Sequence, residues 1–441
     1  LTPGLYAEGY AALDYSFNDG KSINTPYDIY SYSSATDEYT NHKDATGAIS
    51  VNSWSNKSNT ITLNARIGYT RTFNEAHRID AFASYEQSKY NYSSLSGYRT
   101  NYLSSALPDL DFGSKVDADK DNGGNSTETA RQNWFGRINY GYKDKYLAEF
   151  NFGYTGSENF EKGKRFGFFP AFSLAWNIAE EPFIKKHLKW MNMFKVRFSY
   201  GKVGNDNVGT RFPYLYTIAD RYKNGDNEII YGGYDWAQYP SSYSFGGLGF
   251  ADVASNGITW EVAEKNDLGI DLALFNDKFT ATIDYFDEKR TGIYMVRNYL
   301  PQIVGLNGHN PAANVGAVSS KGFDGHFSYK QRINDVNLTV RGNITYSKNE
   351  VLERDEENNV YAYQMQRGYR VDQCKGLIAE GLFKDYDDIR NSPTQSWGKV
   401  QPGDIKYRDV NGDGVINDGD QVAIGATSRP NPVSYTHLRA H

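Results

Sequence analysis

Cysteine is almost missing from this sequence. Cys374 stands alone among 441 residues, so neither an internal disulfide framework nor a cysteine-based zinc site can form. Long apolar runs are missing too: no window approaches the ~20 consecutive apolar residues of a membrane-crossing helix. That excludes helical membrane proteins but not barrels, whose strands need about 9 to 11 residues with every second one apolar. Charge of one sign is not in excess. Charged residues make up 23% and the net charge is −6, which suggests neither a nucleic-acid partner nor a disordered acidic tail. Catalytic spacings are absent: no HExxH, no GxSxG, and no GxxxxGK followed by Ser or Thr. With no marked carboxylate pair either, the residues point to a protein that is not an enzyme. The chain opens on Leu1 without a signal-peptide pattern, so an exported protein is expected to have its N-terminus outside these residues.

Aromatics and glycine are abundant. Aromatics reach 15%, with 36 Tyr and 24 Phe, and there are 42 Gly. With a negative mean hydropathy, this suits many short amphipathic strands and long polar loops rather than helices. Hydropathy alternates with period two in segment after segment. Tyr146, Ala148, Phe150, Phe152 and Tyr154 share one face, against Leu147, Glu149, Asn151 and Gly153. Leu268, Ile270, Leu272 and Leu274 alternate with Asp267, Gly269, Asp271 and Ala273, and Phe279, Ala281, Ile283 and Tyr285 with Lys278, Thr280, Thr282 and Asp284. A soluble antiparallel sheet shows the same alternation, so the pattern alone does not name the solvent.

Connection lengths say more. Eleven strands are expected near 5–17, 58–73, 78–90, 129–142, 146–157, 165–178, 193–203, 258–275, 278–292, 313–331 and 336–349. The turns Asn74–His77, Lys143–Lys145, Asn276–Asp277 and Arg332–Asp335 are short, and Ala179–Asn192 is the longer member of that set. The intervening stretches 18–57, 91–128, 204–257 and 350–432 are long. Short turns on one rim and long loops on the other characterise transmembrane β-barrels of outer membranes, whereas a sandwich scatters its long loops over both ends. Tyr140, Tyr142 and Tyr146 gather around one short turn, where an interfacial aromatic girdle would sit. The expected fold is therefore all-β: an antiparallel transmembrane β-barrel, incomplete over 1–432. Phe150, Phe152, Ile270, Leu272 and Ile283 should face lipid, and Glu149, Asn151, Asp271 and Thr282 the lumen. The Tyr- and Asn-rich loops, such as 27–42 and 231–247, suit carbohydrate recognition as well as plain solvation.

The sharpest local motif is Asp409–Asp420, DVNGDGVINDGD. Oxygen-bearing side chains fall at positions 1, 3, 5, 9 and 12 as Asp409, Asn411, Asp413, Asn417 and Asp420, with Gly414 at position 6. Val415 at position 7 would offer its backbone carbonyl. This is calcium-loop spacing and predicts a structural Ca2+. It resembles dockerin-type loops more than a sensor EF-hand. Position 12 is Asp rather than Glu, and no clear helix pair flanks the loop, so a metal-free Asx-rich turn is the other reading.

Six stretches, in order, resemble SusC/RagA-type TonB-dependent outer-membrane transporters of Bacteroidota. They are NWFGRINYGYKDKYLAEF (133–150), RFGFFPAFSLAWNIAEEPF (165–183), MFKVRFSYGKVGN (193–205), WEVAEKNDLGIDLALFNDKFTATIDYF (260–286), NVGAVSSKGFDGHFSY (314–329) and PGDIKYRDVNGDGVINDGDQVAIG (402–425). The resemblance implies nutrient import, of oligosaccharides or peptides, through a plugged barrel of about 22 strands. It further implies a SusD-like surface lipoprotein as partner and energy from the inner-membrane TonB complex. The plug, the TonB box and the last strands would lie outside the chain. Taking the short turns as periplasmic, 350–432 is one extracellular excursion carrying the calcium loop, and the next strand would start near Val433. The ending SYTHLRAH (434–441) lacks that strand's pattern and reads as a non-native tail. Two alternatives to the transporter are a passive porin or structural outer-membrane barrel, and a secreted sugar-binding all-β protein.

Overall fold

The computed structural model describes residues 2–43, 48–220, 248–297, 299–300, 310–356 and 361–427. Eleven strands form one sheet in chain order. They are β1 (Leu5–Asn24), β2 (Ser50–Phe73), β3 (His77–Thr100), β4 (Lys120–Tyr142), β5 (Tyr146–Ser157), β6 (Phe166–Asn177), β7 (Met191–Asn205), β8 (Glu261–Leu274), β9 (Phe279–Val296), β10 (Ala312–Ile333) and β11 (Val336–Glu353). Each strand pairs with its chain neighbour, so the sheet is a simple meander, with β1 and β11 as its end strands among the described residues. Two compact units divide the chain: 1–70 with 81–136 and 153–158, and 71–80 with 137–152 and 159–441.

Number and order of strands agree with the sequence expectation; lengths differ at the long-loop ends. β1 continues to Asn24 rather than 17, β2 begins at Ser50 rather than 58, β3 reaches Thr100 rather than 90, and β4 begins at Lys120 rather than 129. These extensions are rich in Asn, Ser and Gly, and their few apolar residues do not alternate, so the hydropathy pattern fades while the backbone ladder continues. The β1–β2 register runs unbroken from Leu5 opposite Tyr69 to Asn24 opposite Ser50. At 20 to 24 residues, β1 to β4 are about twice as long as a membrane crossing needs.

The short turns are built by left-handed residues. Asn74 and Glu75 (φ 47° and 54°) and Lys143 and Asp144 (φ 49° and 56°) form two-residue hairpins of the type I′ pattern, whose twist matches that of the flanking strands. The Ala76 N–H donates to the Phe73 carbonyl at 3.0 Å, and the Lys145 N–H to that of Tyr142 at 3.0 Å. The longer member, between β6 and β7, carries a short helix α1 (Pro182–His187), an exception to the all-strand expectation.

Registers sort the side chains onto two faces. Leu268 lies opposite Phe198 and Tyr285, Ile270 opposite Val196 and Ile283, and Leu272 opposite Phe194 and Ala281. Tyr285 continues to Phe323, and Phe323 to Tyr346. The intervening positions pair polar with polar: Asp271 lies opposite Lys195 and Thr282, and Gly269 opposite Arg197 and Asp284. The apolar face is the exposed one. Leu13 is 68% exposed, Ile344 60% and Leu174 55%, so the sheet is inside-out relative to a soluble fold and requires an apolar solvent there. The buried apolar core is correspondingly small; Phe160, Val208, Ile258 and Trp260 pack together where long loops meet strand ends.

Candidate functional site

Polar side chains on the second face interlock. In the first unit the Glu86 carboxylate accepts from the Tyr10 hydroxyl (3.2 Å) and from the amides of Asn64 (3.3 Å) and Asn133 (3.3 Å), while Ser84 donates to Asn64 at 3.1 Å. Arg66 pairs with Glu8 at 3.3 Å and lies 3.6 Å over the Phe82 ring. In the second unit one guanidinium serves three carboxylates: Arg197 reaches Asp267 at 3.5 Å, Asp271 at 3.1 Å and Asp284 at 2.6 Å. Each partner comes from a different place in the register: Asp284 stands two strands away, and Asp267 and Asp271 are two turns of the pleat apart on one strand. Arg137 donates to Asn151 at 2.9 Å, which fixes Asn151 on this face with Glu149. A hollow of about 600 Å³ lies along this wall, bordered by Arg78, Asp80, Glu149, Lys195, Arg197 and Asp267. Such a surface offers fixed hydrogen-bonding groups to a polar solute or to a docked protein segment.

The stretch after β11 folds as a module rather than a loose loop. Gln373–Gly376 pairs with Val422–Thr427 and Ala379–Leu382 with Ile405–Tyr407, both antiparallel; Thr394–Gln395 pairs in parallel with Val415–Ile416. A second helix, α2 (Tyr386–Arg390), is capped by Asp385, whose carboxylate accepts the N–H groups of Asp387 and Asp388. Lys406, 2.8 Å away, chiefly holds the Asp388 carboxyl below its ordinary range, with the Lys384 backbone N–H assisting. The Lys375 ammonium is half-buried, which lowers its pKa, and it donates to the carbonyls of Gln364 and Met365.

Within this module, the five candidate side-chain ligands of Asp409–Asp420 all take backbone N–H groups of their own loop. Asp409 accepts from Gly412 (2.7 Å) and Gly414 (2.8 Å), Asn411 from Asp413 (3.0 Å), Asp413 from Val415 (2.8 Å) and Asn417 from Gly419 (2.6 Å). Gly412 and Gly414 adopt φ of 76° and 83°, a conformation that a side chain would strain. Asp420 is fully buried and accepts from Val410 (2.8 Å), Asn411 (3.4 Å) and Asn417 (2.9 Å), in a capping box with Asn417. Among the described residues no three His, Cys, Asp or Glu side chains converge as a metal cage. Ligation here would draw on Asn411, Asn417 and the Val415 carbonyl, with the free lone pairs of carboxylates already bonded to N–H groups.

Two residues that sequence reasoning missed cradle the loop from outside. Tyr363 and Gln364 both donate to the Gly419 carbonyl, at 2.9 and 2.8 Å. Burial, and then the nearby carboxylates of Asp420, Asp409 and Asp413, push the Tyr363 phenol up. Nothing in the sequence links residues 55 positions apart. The Arg197 cluster was half-visible: parity placed Asp271 and Asp284 on polar faces, but only the register joins them to Arg197. The loop 27–42 is a hairpin, Asp28–Ser33 with Glu38–Lys43, on which Tyr32 and Tyr39 meet at 5.1 Å between ring centroids. The loop 231–247, the expected start of a strand at Val433 and the tail 434–441 lie outside the described residues.

An antiparallel meander with a continuous exposed apolar face, a hydrogen-bonded polar face, and short turns opposite long loops is wall of a transmembrane β-barrel. Residues 5–432 match the family described as TonB dependent receptor-like, beta-barrel. A TonB-dependent receptor of Formosa agariphila is 25% identical over 95% of this chain and 41% of its own length. SusC, a TonB-dependent receptor of Bacteroides thetaiotaomicron, is 26% identical over 69% of this chain and 30% of its own. The solved structure of the RagAB peptide importer in the 'closed-closed' state superposes with a TM-score of 0.75 at 16% identity, covering 98% of this chain and 43% of that one. The chain belongs to the TonB-dependent receptor β-barrel family and is of SusC/RagA type, a protein of the outer membrane. It spans well under half the length of these relatives.

Proposed function

We propose that the complete protein imports oligosaccharides or peptides across the outer membrane, driven by the inner-membrane TonB complex and lidded by a SusD-like surface lipoprotein. The observation that carries this reading is the family match over 5–432, joined to a sheet whose faces are divided between lipid and water. In this reading the long-loop rim, with the 361–427 module and the 28–43 hairpin, faces the medium and meets substrate and lipoprotein. The exposed rings of Tyr30, Tyr32 and Tyr39 would stack on sugar rings or on peptide side chains. Calcium belongs to the same proposal: Asp409, Asn411, Asp413, Val415, Asn417 and Asp420 would hold one Ca2+ that stiffens the module against the external medium. Deletion of the gene in its host, followed by uptake of labelled oligosaccharides and peptides with and without a protonophore, tests the reading. Loss of energy-dependent uptake of one class supports it; unchanged uptake of both overturns it.

A further inference from the structure

The membrane-facing side of the wall holds a second feature at its short-turn rim, where the sheet meets α1. The apolar residues Tyr146, Ala148, Leu174, Trp176, Val196 and Phe198 of β5, β6 and β7 border a groove of about 420 Å³. All six lie on the apolar face. The groove exists because Ala148 leaves room between Tyr146 and the large side chains of β6 and β7. Glu181 closes its rim end: its carboxylate accepts from the Tyr146 hydroxyl at 2.7 Å, the Trp176 indole at 3.2 Å and the Lys145 ammonium at 3.3 Å. Those contacts fix where the turn lies. The segment 178–190 passes under the apolar face, not under the polar one, because Glu181 reaches two rings that point to lipid.

Beyond Glu181 the chain is basic and amphipathic. The sequence PFIKKHLKW places Lys185, Lys186, His187 and Lys189 between Phe183 and Trp190, which are 58% and 43% exposed. Trp190 stacks on Phe275 at 5.5 Å, extending the aromatic girdle formed by Tyr142, Tyr146 and Trp176. Lys185 pairs with Glu180 and Lys145 with Glu181. Among the described residues Lys186 and Lys189, both exposed, enter no ion pair. An apolar groove on the lipid side, girdle rings at its end and, in the turn that Glu181 anchors there, two exposed lysines without an ion pair among the described residues match one kind of molecule.

We propose that this groove and turn form a binding site for one anionic phospholipid of the leaflet at the short-turn rim. An acyl chain lies against Ala148 between Tyr146, Trp176 and Phe198, and the headgroup phosphate is held by Lys186 and Lys189. The occupant is a lipid because the groove is continuous with the surface that already faces hydrocarbon. It is anionic because the turn anchored at the groove's rim end carries Lys186 and Lys189 without an acidic partner among the described residues. The site does not depend on what the receptor imports.

Native mass spectrometry of the full-length receptor in detergent, titrated with phosphatidylglycerol or phosphatidylcholine, tests it. The expected result is one tightly retained phosphatidylglycerol and far weaker retention of phosphatidylcholine. Lys186→Gln with Lys189→Gln should weaken phosphatidylglycerol about 25-fold, about fivefold per lysine, and leave phosphatidylcholine unchanged. Ala148→Phe, which fills the groove and leaves the lysines in place, should weaken both lipids. Equal retention of the two lipids, insensitivity to the lysine pair, insensitivity to Ala148→Phe, or displacement by soluble glycerophosphate at equal concentration would each overturn the assignment.

Discussion

Arg197 joins more carboxylates than any other single side chain described on the second unit's polar wall. Its fork bridges Asp271 and Asp284 and reaches Asp267, and the first two carboxylates are largely shielded, with side chains 18% and 15% exposed. Arg197→Met should cost about 2 kcal/mol in urea unfolding of the full-length receptor, the order of two charge-assisted hydrogen bonds lost while their acceptors stay shielded. Arg197→Lys keeps the charge but not the planar fork and should recover only part of it. Glu181 supplies a pH dependence. The Tyr146 hydroxyl above all, with Trp176 and Lys145, holds its carboxyl below the ordinary range in the folded protein, and burial opposes them. A depressed folded pKa means that Glu181 stabilises fully above its unfolded pKa and that this contribution disappears as pH falls through the folded value. Urea midpoints measured from pH 7 downward should therefore drop faster for the native protein than for Glu181→Gln once the pH passes below about 4.3, the ordinary glutamate pKa. Parallel curves would show that Glu181 makes no such contribution. Side-chain parity was legible at this scale because strand period is two. Partnerships such as Arg197 with Asp284, 87 residues apart, were not, because register is set by turns and bulges.

At the scale of the element, strand number, order and short turns could be read directly, since each membrane crossing must alternate and each short turn carries residues tolerant of positive φ, as Asn74 and Asn276 do. Strand ends on the long-loop rim could not. Beyond the hydrocarbon both faces of a hairpin are wet, and Asn18–Asn24 and Lys120–Glu128 lose the alternation while keeping the ladder. Ile283→Arg, on the exposed apolar face, should lower folding stability in lipid by about 2 to 4 kcal/mol, whereas Thr282→Arg, one residue away and opposite Asp271, should cost under about 1 kcal/mol. Equal losses would contradict the face assignment. The module after β11 also has separable behaviour. Asp409→Ala with Asp413→Ala removes acceptors of the Gly412, Gly414 and Val415 N–H groups and, in the calcium reading, two ligands. Calcium uptake in calorimetry should vanish and protease cutting between 400 and 425 should rise, with the barrel still folded. If the unsubstituted receptor takes up no calcium at millimolar concentration, the metal is excluded and the loop is held by its Asx turns alone.

For the whole molecule the governing fact is a sheet with two end strands. β1 and β11 each have one hydrogen-bonded neighbour among the described residues, and unpaired N–H and C=O groups are not tolerated in hydrocarbon. Residues 1–441 expressed alone should aggregate or associate with further copies, and should not migrate as a heat-modifiable monomer in detergent. The class of the molecule was legible from turn asymmetry together with alternation. Its cargo was not, because a wall of hydrogen-bonding groups would suit a sugar or a peptide equally.

In the topology proposed above the sheet crosses the outer membrane with its long-loop rim outward, and Cys374 offers the most direct test. It is exposed and lies in the module after β11, on the rim opposite the short turns. Intact cells producing the full-length receptor are treated with a membrane-impermeant maleimide, and the peptide carrying Cys374 is quantified by mass spectrometry. Labelling in intact cells at the level seen after the outer membrane is permeabilised is the predicted result. Labelling that appears only after permeabilisation would contradict the topology and, with it, the placing of the tyrosine hairpin and the calcium loop on the outer surface.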